Sequence, residues 1–278
     1  MAVSFGTYFA YTPGMEAIFT LNPAGIMSFL LTLLRISLLV FLLPFFSGTA
    51  IPNQIKAACT IVLALALWPH LSFDGSLFPA HPLALVMLLL GELLLGLMLG
   101  LFVQFIFAGI QTGGQMLGFQ MGFTMMNVAD PLSGNQIGVT SHLLYQVALV
   151  CFLAMNGHLY LLQALTSSFE LMPPGAFVMR PILMTEIIEL SAGMFVLAVK
   201  VAAPILASLF LVELALALMA RAAPQMNILI IGMPIKIAVG FFFMSIVFAL
   251  LSQTLEATLF DLGAAFRHFL SLSGPETP

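Results

Sequence analysis

The sequence predicts an all-α, polytopic integral membrane protein, and three observations carry that reading. Hydrophobic residues are 62% of the chain and charged residues 6%, with a mean hydropathy of +1.15, more apolar side chain than a water-soluble core of 278 residues requires. The apolar residues gather into about six runs, at residues 24–46, 55–68, 83–126, 137–165, 194–219 and 226–251. Hydrocarbon offers the backbone no hydrogen-bond partner, so such runs become helices, and the fifth reaches about 39 Å against a hydrocarbon core of about 30 Å. Third, the helix breakers fall between the runs.

The first run holds one charge, Arg35, and ends before Pro52 and Asn53. No Lys or Arg precedes Arg35, so the start lacks the basic flank of a cleavable signal peptide and this run is expected to stay as an anchor. The second run closes in the segment from Pro69 to Pro82. The third has no proline and one charge, Glu92, from Leu83 to Asn127. As one helix it would extend about 67 Å, twice the hydrocarbon thickness, so it is expected either to break or to leave the membrane, and a break would fall at Gly113-Gly114, where backbone freedom is greatest. Glycines recur at Gly96 and Gly100, Gly109 and Gly113, and Gly114, Gly118 and Gly122; small residues four apart let helices approach closely. Around them stand Phe105, Phe107, Met116, Phe119, Met121, Phe123, Met125 and Met126. Such a cluster suits a core, and equally a deformable seal around a pore.

The fourth run is preceded by Asp130-Pro131 and ends at Pro173-Pro174-Gly175. Pro181 with Glu186 and Glu189 looks like the start of an interfacial helix that enters the fifth run. The fifth and sixth runs are joined by Arg221-Ala-Ala-Pro224-Gln225-Met-Asn227, a hairpin turn. Pro224 donates no N–H and biases Ala223 away from helix, leaving Arg221, Gln225 and Asn227 to satisfy the freed backbone groups. Beyond Ser252 the chain is amphipathic, and residues 273–278 should fray.

Charges inside the runs are expensive, about 2.5 to 3.5 kcal/mol each at a helix centre. Arg35, Glu92, Lys200, Glu213 and Lys236 qualify. Lys200 and Glu213 lie about 19 Å apart on one helix and cannot pair, whereas Glu213 and Lys236 lie at similar distances from the turn and can. Such a pair either holds helices together or belongs to an ion pathway. Against the pathway stands the lack of clustered carboxylates or of a histidine relay, His142 and His158 being about four turns apart.

Other classes fall away on composition. A net charge of -4 with seven Lys+Arg offers no basic stripe to nucleic acid. Cys59 and Cys151 sit in apolar runs with no ligand spacing, so neither disulfide nor metal is expected. No glycine loop ending in Lys and Ser/Thr is present, so no cofactor and no catalysis are assigned. No linker is long or polar enough to divide domains, so residues 1–278 are expected to form one membrane domain, with a C-terminal hairpin at 194–251. The basic residues are split evenly, Lys56 and Arg221 against Arg180 and Arg267, and give no orientation.

The segment from Arg221 to Gly240 resembles the C-terminal signature of the FliR family of flagellar export proteins, whose injectisome relatives are called SctT. Further landmarks follow in family order: Arg35 with Pro44, Pro52 and Lys56; Gly91-Glu92, Gly96 and Gly100; Gly114 through Gln120-Met-Gly122; Asp130-Pro131; Asn156-Gly-His158; Pro204. The resemblance spans about Ile26 to Phe260. Residues 1–23 look like a variable extension, and Gly113-Gly114-Gln115 stands where many relatives have Ala-Gly-Glu.

This resemblance implies a core subunit of the flagellar type III export gate in the bacterial inner membrane, within the flagellar basal body, passing unfolded axial proteins. The implied partners are FliP-like and FliQ-like membrane subunits and an FlhB-like switch protein, with the chain itself like a FliP part fused to a FliQ hairpin. Much of such a gate sits above the bilayer plane. The plug matches about Ile110 to Met126, within the 83–127 region, which makes Gly113, Gly114, Met116, Gly118, Phe119, Met121, Gly122, Phe123, Met125 and Met126 the gate candidates. An injectisome homologue shares these motifs. A secondary transporter coupled through Glu92, Lys200 or Lys236 is the rival of a different class; it calls for an internal repeat, which the sequence does not display.

Overall fold

The computed structural model describes residues 23–46, 51–68, 81–123, 138–225 and 227–273. Among these are seven helices, α1 (Pro23–Leu42), α2 (Asn53–Leu67), α3 (Pro82–Met121), α4 (Val139–Ala154), α5 (Gly157–Leu171), α6 (Ile182–Ala222) and α7 (Ile228–Ser273). The all-α expectation holds. Among the described residues four helices are long and apolar enough to cross a membrane, or five if α4 and α5 form one bent span. α2 has 15 residues, about 22 Å of helix, which is short of the hydrocarbon thickness. α3, α6 and α7 have 40, 41 and 46 residues, so each reaches about 60 Å or more and outruns the hydrocarbon core.

The expected break at Gly113-Gly114 is absent, because α3 runs unbroken through both glycines. It stops eight residues later at Gly122, whose φ of +89° is a left-handed conformation that glycine adopts without a Cβ penalty. There the Gly122 N–H donates to the Phe119 carbonyl and the Phe123 N–H to the Gly118 carbonyl, at 3.1 and 3.0 Å, the paired bonds that close a Schellman motif. A real break falls in the fourth run. Asn156, at φ +57°, ends the helical path after Met155, and asparagine is among the few residues that tolerate this region.

The chain gathers into two compact units, one of residues up to Val103 with Leu161–Leu183 and residues from Phe266, the other of Gln104–Tyr160 and Met184–Ala265. In the first, Leu31, Ile36 and Leu39 of α1 are buried with Leu95, Leu99 and Phe102 of α3 and with Leu165 and Phe169 of α5. Trp68, after α2, donates its indole N–H to Ser28 at 2.8 Å and meets Phe29 edge-on. In the second, Phe107 of α3 makes edge contacts with Tyr145 and Phe152 of α4 at 5.7 and 5.5 Å between centroids. α6 and α7 carry buried Ala198, Leu209 and Met244 yet present Phe210, Leu211, Ile230, Phe242 and Leu250 outward, the composition of faces that meet lipid or other apolar helices.

Candidate functional site

The last turns of α3 are held by glycine. A Cβ at Gly109 would stand 2.8 Å from the Met194 carbonyl oxygen, and one at Gly113 2.8 Å from that of Ala198. On the next face, a Cβ at Gly114 would lie 2.5 Å from Ser141 Cα and one at Gly118 2.7 Å from Thr140 Oγ1. Glycines four apart therefore form two adjacent seams, one for the α6 backbone and one for the start of α4. Thr140 crosses its seam, donating from Oγ1 to the Gly114 carbonyl at 2.8 Å. Close packing, not chain breakage, is the use of Gly113 and Gly114.

Past these seams the helix meets α7. Met121 is fully buried, and a Cβ at Gly240 would come within 2.5 Å of its Cε. The ring of Phe123 contacts Phe241 edge-on at 6.4 Å. Among the described residues Gly122 has only the Met233 methyl nearby, at 3.5 Å from an added Cβ. Phe119 turns outward, 65% exposed, and Met116 is half-buried. Met125 and Met126 lie outside the described residues. The gate candidates thus divide into a packed set, Gly113, Gly114, Gly118 and Met121, and an accessible set, Met116 and Phe119.

The same end of the helix carries a polar cluster. Lys236 Nζ lies 2.9 Å from Glu213 Oε1, and Gln120 Nε2 donates to Glu213 Oε2 at 2.8 Å. This joins α3, α6 and α7. Lys236 and Glu213 side chains keep 20% and 50% of their exposure, because the cluster opens on a cleft of about 430 Å³ whose walls include Phe119, Leu216 and Gly232. The hairpin arms close above it, with a Cβ at Gly232 only 3.0 Å from Leu216 Cδ1. At the turn, Arg221 lies in the last turn of α6, where a cation is favoured by the helix dipole. Pro224, Gln225 and Asn227 are exposed, and backbone bonds at the turn run from the Ala223 N–H to the Met219 carbonyl and from the Ile230 N–H to the Asn227 carbonyl. Lys200 is exposed on α6.

Arg35 and Glu92 form the network that the sequence did not pair. Both side chains are 0% exposed and meet at 2.7 Å, with Arg35 Nε also donating to Glu92 Oε2. Arg35 Nη1 and Nη2 donate to the carbonyls of Ser168 and Met172 at 3.1 Å each, so the guanidinium caps the carbonyl end of α5, where positive charge is favoured. Phe169 lies beneath it, 4.1 Å from Cζ to the ring centroid. Gly96 admits the Arg35 backbone, with no room there for a Cβ. The available signal was that Arg35 and Glu92 are the lone charges of the first and third runs, and of opposite sign. Glu92 Oε1 is buried with no hydrogen-bond partner among the described residues.

Comparison with known proteins matches residues 26–262 to the family described as bacterial export proteins, family 1. The chain is 33% identical to flagellar biosynthetic protein FliR of Bacillus subtilis (strain 168), over 94% of this chain and 99% of that one. It is 32% identical to flagellar biosynthetic protein FliR of Pectobacterium carotovorum subsp. carotovorum, over 86% and 92%. Surface presentation of antigens protein SpaR of Salmonella typhimurium is 28% identical over 77% of this chain and 80% of its own.

Proposed function

The chain belongs to the bacterial export proteins, family 1, and on that premise we propose that it is a non-enzymatic core subunit of the flagellar type III export gate in the bacterial inner membrane. The observation that carries the reading is the match to flagellar FliR along nearly the full length of both chains. On this reading FliP-like and FliQ-like subunits cover the apolar faces that α6 and α7 present outward, an FlhB-like protein contacts the assembly, and unfolded flagellar proteins pass through it. The stretch from Gly113 to Phe123, continued by Met125 and Met126, serves as the plug. The glycine seams would fix the base of that plug, while Met116 and Phe119 supply soft apolar surface able to close on itself without specific hydrogen bonds. Arg35, Glu92, Glu213 and Lys236 act as structural ties between helices, with Lys200 and the turn residues Arg221, Pro224, Gln225 and Asn227 available to neighbours.

Deletion of the gene in its own bacterium, followed by electron microscopy and assay of exported flagellin, tests this reading. Loss of filaments with restoration by the intact chain is expected. A second reading, a virulence injectisome, is favoured by the similarity to SpaR. It predicts that the deletion leaves filaments intact and abolishes secretion of virulence proteins.

A further inference from the structure

The segment between α5 and α6 touches the surroundings of the buried Arg35–Glu92 pair at one side and the end of α7 at the other. Met172, fully buried, gives its carbonyl to Arg35. Three residues on, Gly175 adopts φ +85° and an added Cβ would rest 3.4 Å from Leu88, one turn before Glu92 on α3; Phe177 lies across Gly91, the residue beside Glu92. The far side is fastened by a backbone bond from the Val178 N–H to the Ser273 carbonyl at 3.0 Å. Ser273 is itself buried, and Phe266 and Phe269 stack edge-on against Phe102 at 5.7 and 6.0 Å. So α7, largely unburied along its length, is anchored at its last two turns.

We propose that residues 172–178 form a lid over the Arg35–Glu92 pair and that Phe266–Ser273 is the strap that keeps it shut. Glu92 Oε1, buried and unpartnered among the described residues, is the atom that water reaches when the strap lets go. Burying a charged oxygen with no partner is costly, so the sealed state depends on the strap, and release is a local opening that leaves the rest of the fold in place. The strap also gives the amphipathic end of α7 a task inside its own unit.

The test uses the full chain in detergent-solubilised membranes, with Cys59 and Cys151 changed to alanine and one cysteine placed at the fully buried start of the lid by Met172→Cys. Its rate of reaction with a water-soluble maleimide is compared with that of Ala222→Cys on an exposed turn. Slow labelling of the lid is expected, with a rise of more than about tenfold on adding Phe269→Ala, which empties the strap's packing, and a similar rise with Val178→Pro, which removes the donor N–H. Leu250→Ala, on an exposed face of α7, should change nothing. A chain cut after Ala265 should behave like Phe269→Ala; where that chain does not accumulate, the two point variants decide. Labelling of the lid as fast as Ala222→Cys in the parent overturns the proposal, as does a Phe269→Ala chain that accumulates normally and labels no faster.

Discussion

Arg35 shows how much a single buried residue is asked to do. It neutralises Glu92, caps the carbonyl end of α5 and lies on Phe169. Breaking a buried pair by removing one partner costs about 3 to 5 kcal/mol. Arg35→Leu and Glu92→Leu are each expected to lose that much, and the double variant to recover only part, because the Ser168 and Met172 carbonyls lose their donor in both. Chemical unfolding of the four solubilised chains measures it, and strict additivity of the two losses would mean that the pair is not coupled. Lys236 and Glu213 make the opposite case. Their contact, at 2.9 Å, is a little longer and half open, so Lys236→Ala should cost only about 1 kcal/mol, with Lys236→Arg nearer to neutral. A loss of several kcal/mol in the same unfolding assay would place the pair in a far drier setting than the cleft provides.

At the scale of the element, α3 is where sequence and structure part company. Its length, its glycines and its position were all legible; of the two ways out for so long a run, a break at Gly113-Gly114 or a helix that leaves the membrane, the unbroken α3 excludes the first. Glycine raises backbone freedom, but a helix interior packed on two sides by backbone leaves that freedom unused, and a sequence alone does not reveal neighbours such as Ala198 and Ser141. The Glu213–Lys236 pairing was legible because both residues lie on one hairpin, at matched distances from a turn. Arg35–Glu92 was not, since their registers depend on packing between α1 and α3 that no local pattern specifies. Two substitutions separate the packed glycines from the free ones. Gly118→Leu should destabilise the chain by several kcal/mol, because the first added atom already meets Thr140. Gly193→Ala, with nothing among the described residues within 4 Å of the new Cβ, should stabilise it by up to about 1 kcal/mol. Thermal unfolding in detergent distinguishes them, and equal tolerance at both positions would show that the α3 seam is loose.

For the whole molecule, the described residues hold four or five candidate spans against about six apolar runs in the sequence, because apolar composition reports burial of every kind and not lipid contact alone. The helices of about 60 Å and more fit a subunit whose apolar faces are shared between membrane and neighbours. A gate that passes an unfolded chain must seal against ions at rest. Changing Met116 and Phe119 together to serine should therefore make cells leak protons while the assembly still forms, since neither residue belongs to the packed set. Proton conductance beside native-gel detection of the assembly reads this out, and loss of assembly before any leak would place both residues in structural packing instead.

The central claim is that this chain works only as part of an export gate. Its most direct test is affinity purification of the tagged full chain from its own membranes in mild detergent, with the bound proteins identified by mass spectrometry. FliP-like and FliQ-like subunits should be recovered with it as one large complex on gel filtration. Recovery of a stable, active monomer with neither subunit attached would contradict the account.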